Sequence, residues 1–134
     1  MSHVSNVPPD LRYTKTHEWL RTMPDGSVEI GITDHAQTAL GDLVFVEVPE
    51  AGRSLKEGEA CAVVESVKAA SDVYAPIACT VTSGNPKLAS EPEAVNGDPY
   101  GAGWLMRVRP ENGAAVAALL SAADYTNFLA TEGE

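Results

Sequence analysis

Val63-Val64-Glu65-Ser66-Val67-Lys68-Ala69-Ala70-Ser71-Asp72-Val73 reads as two short strands meeting at a tight turn. Val63, Val64, Val67 and Val73 suit a half-buried sheet, because β-branched side chains pack well on a pleated surface. Lys68 sits at the bend, and only the small Ala69, Ala70 and Ser71 follow it. Small neighbours leave its amine open to approach. A lone lysine in a turn is ordinarily a solvated charge. With a pKa of about 10.4 it is also a poor nucleophile at pH 7 unless desolvated. The segment promises no apolar pocket around Lys68, so a modification site fits better than a catalytic lysine.

The chain has 134 residues, 44% of them hydrophobic, which suits one folded domain. Nineteen acidic residues against nine basic give a net charge of −10. That balance disfavours nucleic acid and anionic membranes, which bind through Lys and Arg. It suits docking onto partners with basic patches. Cys61 and Cys79 lie in strand-like segments without metal-site spacing, so buried thiols are expected, with a disulfide open if their strands pair. No apolar run is long enough to span a membrane. The N-terminal residues carry neither a signal nor a transit pattern, and the initial Met speaks for a bacterial cytoplasmic protein.

Outward from the lysine, strands are expected over Thr16–Arg21 and Ser27–Ile32, joined by a Pro24-Asp25-Gly26 turn. Thr33 can cap a helix over Asp34–Leu40 that Gly41 ends. Leu43–Val48 reads as a strand with Val44 and Val46 on one face and Leu43, Phe45 and Glu47 on the other. Further strands are read at Ala60–Ser66, Cys79–Thr82 and Trp104–Arg109, the last with Trp104, Met106 and Val108 sharing a face. Residues 83–103 read as a long loop with one helical turn near Lys87–Glu91. A helical tail follows, and Ser121 with Asp124 gives a capping-box pattern for a helix through Phe128. Short strands with frequent turns predict a mainly β fold, a two-sheet sandwich or flattened barrel with short helices at its edges.

Five stretches then stand in order: His17-Glu18-Trp19; Gly31-Ile32-Thr33-Asp34-His35-Ala36-Gln37; Gly41-Asp42-Leu43-Val44-Phe45-Val46-Glu47; Glu65-Ser66-Val67-Lys68-Ala69 with Ser71-Asp72; and Asn96-Gly97-Asp98-Pro99-Tyr100 leading to Gly103-Trp104-Leu105. Together, from about Tyr13 to Phe128, they make the chain resemble the H proteins of the glycine cleavage system. The resemblance implies a barrel-sandwich hybrid of the lipoyl-carrier type at 13–130. A loose lead-in at 1–12 and a polar tail at 131–134 would flank it. It implies lipoate in amide linkage to Lys68, with Glu65, Ser66, Val67, Ala69 and Asp72 as the surroundings of the attachment site. It implies a monomeric carrier that catalyses no step itself. Its partners would be a pyridoxal-phosphate glycine decarboxylase (P protein), a tetrahydrofolate-dependent aminomethyltransferase (T protein), a dihydrolipoyl dehydrogenase (L protein) and lipoyl- or octanoyl-attaching enzymes. The location would be the bacterial cytoplasm, or the mitochondrial matrix for a processed form.

A loaded arm would end in a primary ammonium, which wants carboxylate or carbonyl acceptors. Glu18 and Asp72 are the candidates, to be weighed against simple solvated carboxylates. Thr38-Ala39-Leu40 lacks the histidine that family members often carry there. Cys79-Thr80-Val81 departs from the small Ser-Gly pattern usual in the family. Other readings are open. A biotin carrier would flank the lysine with methionines, where this chain has Val67 and Ala69. A lipoyl domain of an oxoacid dehydrogenase would lack His-Glu-Trp and the helical tail. An H-like paralogue donating its lipoyl group to other proteins would show the same site. A Schiff-base enzyme using Lys68 would trap a carbonyl substrate under borohydride. His17 and His35, without metal-ligand spacing, are expected to be structural or surface residues, and Trp19 and Trp104 core residues.

Overall fold

The computed structural model describes residues 6–132. Among the described residues, nine strands form two antiparallel sheets. They are β1 (Arg12–Tyr13), β2 (Glu18–Thr22), β3 (Val28–Ile32), β4 (Leu43–Glu47), β5 (Ser54–Leu55), β6 (Ala60–Ser66), β7 (Ala70–Tyr74), β8 (Cys79–Gly84) and β9 (Met106–Pro110). One sheet has six strands in the order β1-β2-β3-β9-β8-β5, and the other has three in the order β4-β6-β7. The expected mainly β, two-sheet architecture is what forms, as an open pair of sheets and not a closed barrel. Leu20, Ile30, Leu55, Ile77, Val81, Met106 and Val108 make one buried cluster, and Leu43, Val46, Val64, Val73 and Leu105 belong to a second. Burial of each such side chain contributes about 1.5–3 kcal/mol relative to exposure.

Helix α1 (Asp34–Leu40) forms where the sequence places it. Thr33 accepts a hydrogen bond from the Ala36 amide, and Gly41 ends the helix at φ 85°, a conformation glycine adopts without steric cost. The polar stretch after β8 holds more structure than a loop. It contains a 3₁₀ turn (Pro86–Ala89) and α2 (Ala94–Gly97). The buried Asn85 donates to the carbonyls of Ala102 and Trp104, so the stretch is folded on itself. α3 (Ala114–Ala117) is one turn, and α4 (Ala122–Glu132) starts where the Ser121 hydroxyl accepts from the Asp124 amide.

Two strand-face assignments differ from the alternation read in the sequence. A bulge between Leu43 and Phe45 puts Leu43 and Val46 inward together and leaves Val44 and Phe45 exposed. Trp104 lies before β9 and is only partly buried, with the Arg107 guanidinium 4.1 Å from its ring centroid. Cys61 and Cys79 are buried free thiols on different sheets, and burial lifts their pKa values to about 12 and about 11. Within the expected lead-in, Leu11 is buried and the Asn6 amide donates to Asp34, while residues 1–5 lie outside the described residues. Of the expected polar tail, Thr131 and Glu132 close α4, and residues 133–134 lie outside the described residues.

Candidate functional site

β6 and β7 pair from Ala60↔Tyr74 to Glu65↔Ala70, leaving Ser66 to Ala69 as the turn. The Ser66 amide donates to the Ala69 carbonyl at 2.7 Å. Hairpins with two-residue turns favour primed types, which need positive φ. Among the described residues His17 is the one non-glycine residue with positive φ, so Val67 and Lys68 make a different turn. The Ser66 hydroxyl supports it by accepting from the amides of Lys68 at 3.3 Å and Ala69 at 3.1 Å. Val67 and Lys68 stand exposed at the tip, Val67 at 83%. Glu65 shares the outer face of the three-stranded sheet with Phe45 and Ala70, its partners across the strands.

The lysine stem lies over the end of α1. A methyl group added at Gly41 would fall 3.4 Å from Lys68 Cε and 3.8 Å from Nζ. Asn96 fixes that corner. It donates to Gln37 Oε1 and to the Gly41 carbonyl, both at 2.9 Å, and accepts from the Leu43 amide at 2.9 Å. The sequence reading gave Asn96 no task. Its signal was weak, because the contact spans more than fifty residues of chain.

Glu18 is far from a solvated carboxylate. It is 1% exposed and is part of the lining of an open cleft of about 550 Å³, with Tyr13, Glu57, Tyr74 and Leu120 among the other walls. The hydroxyls of Thr14 and Thr16 donate to its Oε1, and the Tyr74 amide donates to Oε2 at 3.2 Å. Burial raises its pKa, and these three donors pull against that rise. Among the described residues no cationic side chain forms an ion pair with it. Thr14 and Thr16 were missed in the sequence, although Thr-x-Thr-x-Glu has a spacing of two, the pattern of one strand face.

Two elements join the lysine to this carboxylate. α1 begins after Thr33, which follows Ile32, the cross-strand partner of Glu18, and it ends at the Gly41 that abuts Lys68. β7 begins two residues after Lys68 and ends at Tyr74, whose amide holds Glu18. Asp72 lies partway along β7, facing outward opposite Val63. It does not line the Glu18 cleft. A separate depression of about 150 Å³ takes it, with Glu47 and Arg53. His17 bonds through Nδ1 to the Tyr125 hydroxyl at 2.8 Å and packs at a tilt against the His35 ring, which ties α4 and α1 to the start of β2. No cluster of potential metal ligands occurs among the described residues, and no described helix is long and apolar enough to cross a membrane.

Two antiparallel sheets that hold a lysine out at the tip of a tight hairpin make a small two-sheet β domain with an exposed turn amine. Comparison with known proteins narrows the class. A family model described as "Glycine cleavage H-protein" matches residues 11–132. The chain is 62% identical over 130 residues to the glycine cleavage system H protein of Halorhodospira halophila, covering 97% of this chain and 100% of that one. It is 59% identical to the one from Aromatoleum aromaticum, covering 91% and 94% of the two chains. The crystal structure of a glycine cleavage system H protein from Mycobacterium marinum superposes with a TM-score of 0.82 at 41% identity, covering 96% of this chain and all of that one. The chain belongs to the glycine cleavage H-protein family.

Proposed function

We propose that the protein is the lipoyl carrier of the glycine cleavage system and that Lys68 is its attachment point. The observation that carries this reading is the joining of an exposed turn lysine, by α1 and β7, to a buried carboxylate with no ion-pair partner among the described residues. The residues fit the group. Val67 and Lys68 protrude, the neighbours after the lysine are small, and Ser66 braces the turn. A lipoyl group in amide linkage to Lys68 would supply a disulfide able to carry the aminomethyl group on one sulfur and to hold the electron pair of glycine decarboxylation as a dithiol. The hairpin would present Lys68 in turn to the decarboxylase, the aminomethyltransferase and the dihydrolipoyl dehydrogenase. Tethering keeps the local concentration of such an arm in the millimolar range. Glu18 would accept the ammonium end in its cleft, while Asp72 lies outside that cleft and would not reach it there. The apolar walls of Tyr13, Leu119 and Leu120 would keep water away. The protein supplies position and the cofactor supplies chemistry. Cytoplasmic residence in a bacterium fits the bacterial relatives.

The test is intact mass and peptide mapping after co-expression with a lipoyl-attaching enzyme. One added lipoyl group on Lys68, absent in Lys68→Ala, is the expected result. An unmodified protein beside a demonstrably active attaching enzyme overturns the assignment.

A further inference from the structure

Glu18 receives two hydroxyl groups on one oxygen, and only one of them also holds its backbone. The Thr14 hydroxyl accepts a hydrogen bond from the Glu18 amide at 3.1 Å. A hydroxyl has one proton to give, and that of Thr14 has two acceptors in reach, Glu18 Oε1 and, at 3.2 Å, Thr16 Oγ1. Thr16 reaches the same Oε1. Both hydroxyl protons are placed to best effect when they point at Oε1 and that oxygen carries none. Oε2 is taken up by the Tyr74 amide. The backbone of Thr14 is fixed as well, since its amide donates to the Glu18 carbonyl at 3.0 Å and its carbonyl accepts from the His17 amide at 3.1 Å. His17 closes this turn at φ 72°, a costly conformation for a residue with a Cβ.

We propose that Thr14 is a positioning residue: its hydroxyl links the amide and the carboxylate of Glu18 and holds that carboxylate as an ionised acceptor facing the cleft, the form that receives a primary ammonium. This rests on the reading of the cleft as the seat of the ammonium-bearing end of the arm. Thr16 shares the oxygen but has no bond to the Glu18 backbone, so it assists without fixing the side chain. The buried site needs such help. Desolvation favours the neutral acid, and hydrogen bonds to the charged form oppose it.

The test begins with the unloaded protein. Glutamate side chains are labelled with ¹³C at the carboxyl carbon, and the Glu18 signal, assigned by its loss in Glu18→Gln, is titrated by NMR. Thr14→Val and Thr14→Ala should raise the Glu18 pKa by about one unit, the size expected for one hydrogen bond to a charged group. Thr14→Ser, which keeps the hydroxyl, should titrate like the parent. A wild-type pKa in whichever of the Val and Ala proteins folds overturns the proposal. So does a Thr14→Ser protein whose Glu18 is displaced upward. A second arm loads the lipoylated protein and follows loss of the aminomethyl group. Thr14→Val should shorten its lifetime in the parent background and not in Glu18→Gln. If Glu18→Gln itself leaves the lifetime unchanged, the cleft reading fails, and the titration still decides what Thr14 does to Glu18.

Discussion

The pKa of Glu18 makes the carboxylate visible in stability as well as in function. Burial raises it above that of an exposed glutamate. The folded state therefore binds the proton more tightly than the unfolded chain does. The associated stability is fully present below the unfolded value of ~4.3 and is lost as pH rises through the folded value. Glu18→Gln has no proton to lose. Its stability relative to the parent should rise across that window, which urea unfolding between pH 4 and 7.5 measures. A constant difference would mean that the site leaves Glu18 as free to ionise as water does. A second prediction concerns Gly31, which faces Trp19 across the β2–β3 ladder. A methyl group there would lie 2.7 Å from the indole ring, and Trp19 is fully buried with its Nε1 donating to the Pro99 carbonyl at 2.9 Å. Gly31→Ala should destabilise by about 1–3 kcal/mol, the usual cost of overpacking, read from denaturant midpoints. Sequence showed Glu18 as a candidate but not its depth. The Thr14–His17 turn that buries it depends on a left-handed histidine; histidine enters that region more often than most residues, yet too rarely for the sequence to announce it.

At the level of elements, the lysine stem lies over the end of α1. Asn96, carried by α2, satisfies both the Gly41 carbonyl and the Leu43 amide, the groups left over where helix gives way to strand. Asn96→Ala removes all three of its bonds and leaves part-buried backbone groups unpaired. A loss of about 1–3 kcal/mol follows from one such group. Amide exchange should quicken at Leu43 while β8 and β9 stay protected. Uniform quickening would mean that the corner is not a separate unit. This corner also shows where the sequence ran out. The α1 caps and the β6–β7 hairpin were legible because each is written in neighbouring residues, Thr33 with Ala36 and Ser66 with Ala69. The bulge at Leu43–Phe45 was not, since alternation assumes a regular pleat and an extra residue reverses every side chain beyond it. The ordered stretch between β8 and β9 was hidden for the opposite reason. Its prolines and glycines read as loop, and its order comes from Asn85 and Asn96 reaching distant carbonyls.

Across the whole molecule the exposed apolar surface is unevenly placed. Among the described residues the large hydrophobic side chains left exposed are Val44, Phe45, Val67 and Tyr74, and all four lie on the three-stranded sheet or its turn. The six-stranded sheet contributes none. Phe45 stands opposite Glu65 and Leu43 opposite Ser66, so β4 brings this surface to the base of the lysine turn. Glu47, Glu65 and Asp72 share the outer face, in a chain whose net charge is −10. If Lys68 is the attachment point proposed above, the enzyme that acylates it has to close over the turn, and an apolar seat with a basic rim would be the complementary surface. Phe45→Ser should leave stability within about 0.5 kcal/mol of the parent, because exposed positions tolerate substitution, yet raise the KM of the attaching enzyme severalfold. Reversing Glu47 and Asp72 to lysine should instead slow association and flatten its dependence on salt, since rim charges act mainly on encounter. Acylation kinetics from 50 to 300 mM salt separate the two effects. If Phe45→Ser is acylated like the parent while the charge reversals weaken it, the apolar face is a bystander and recognition is electrostatic.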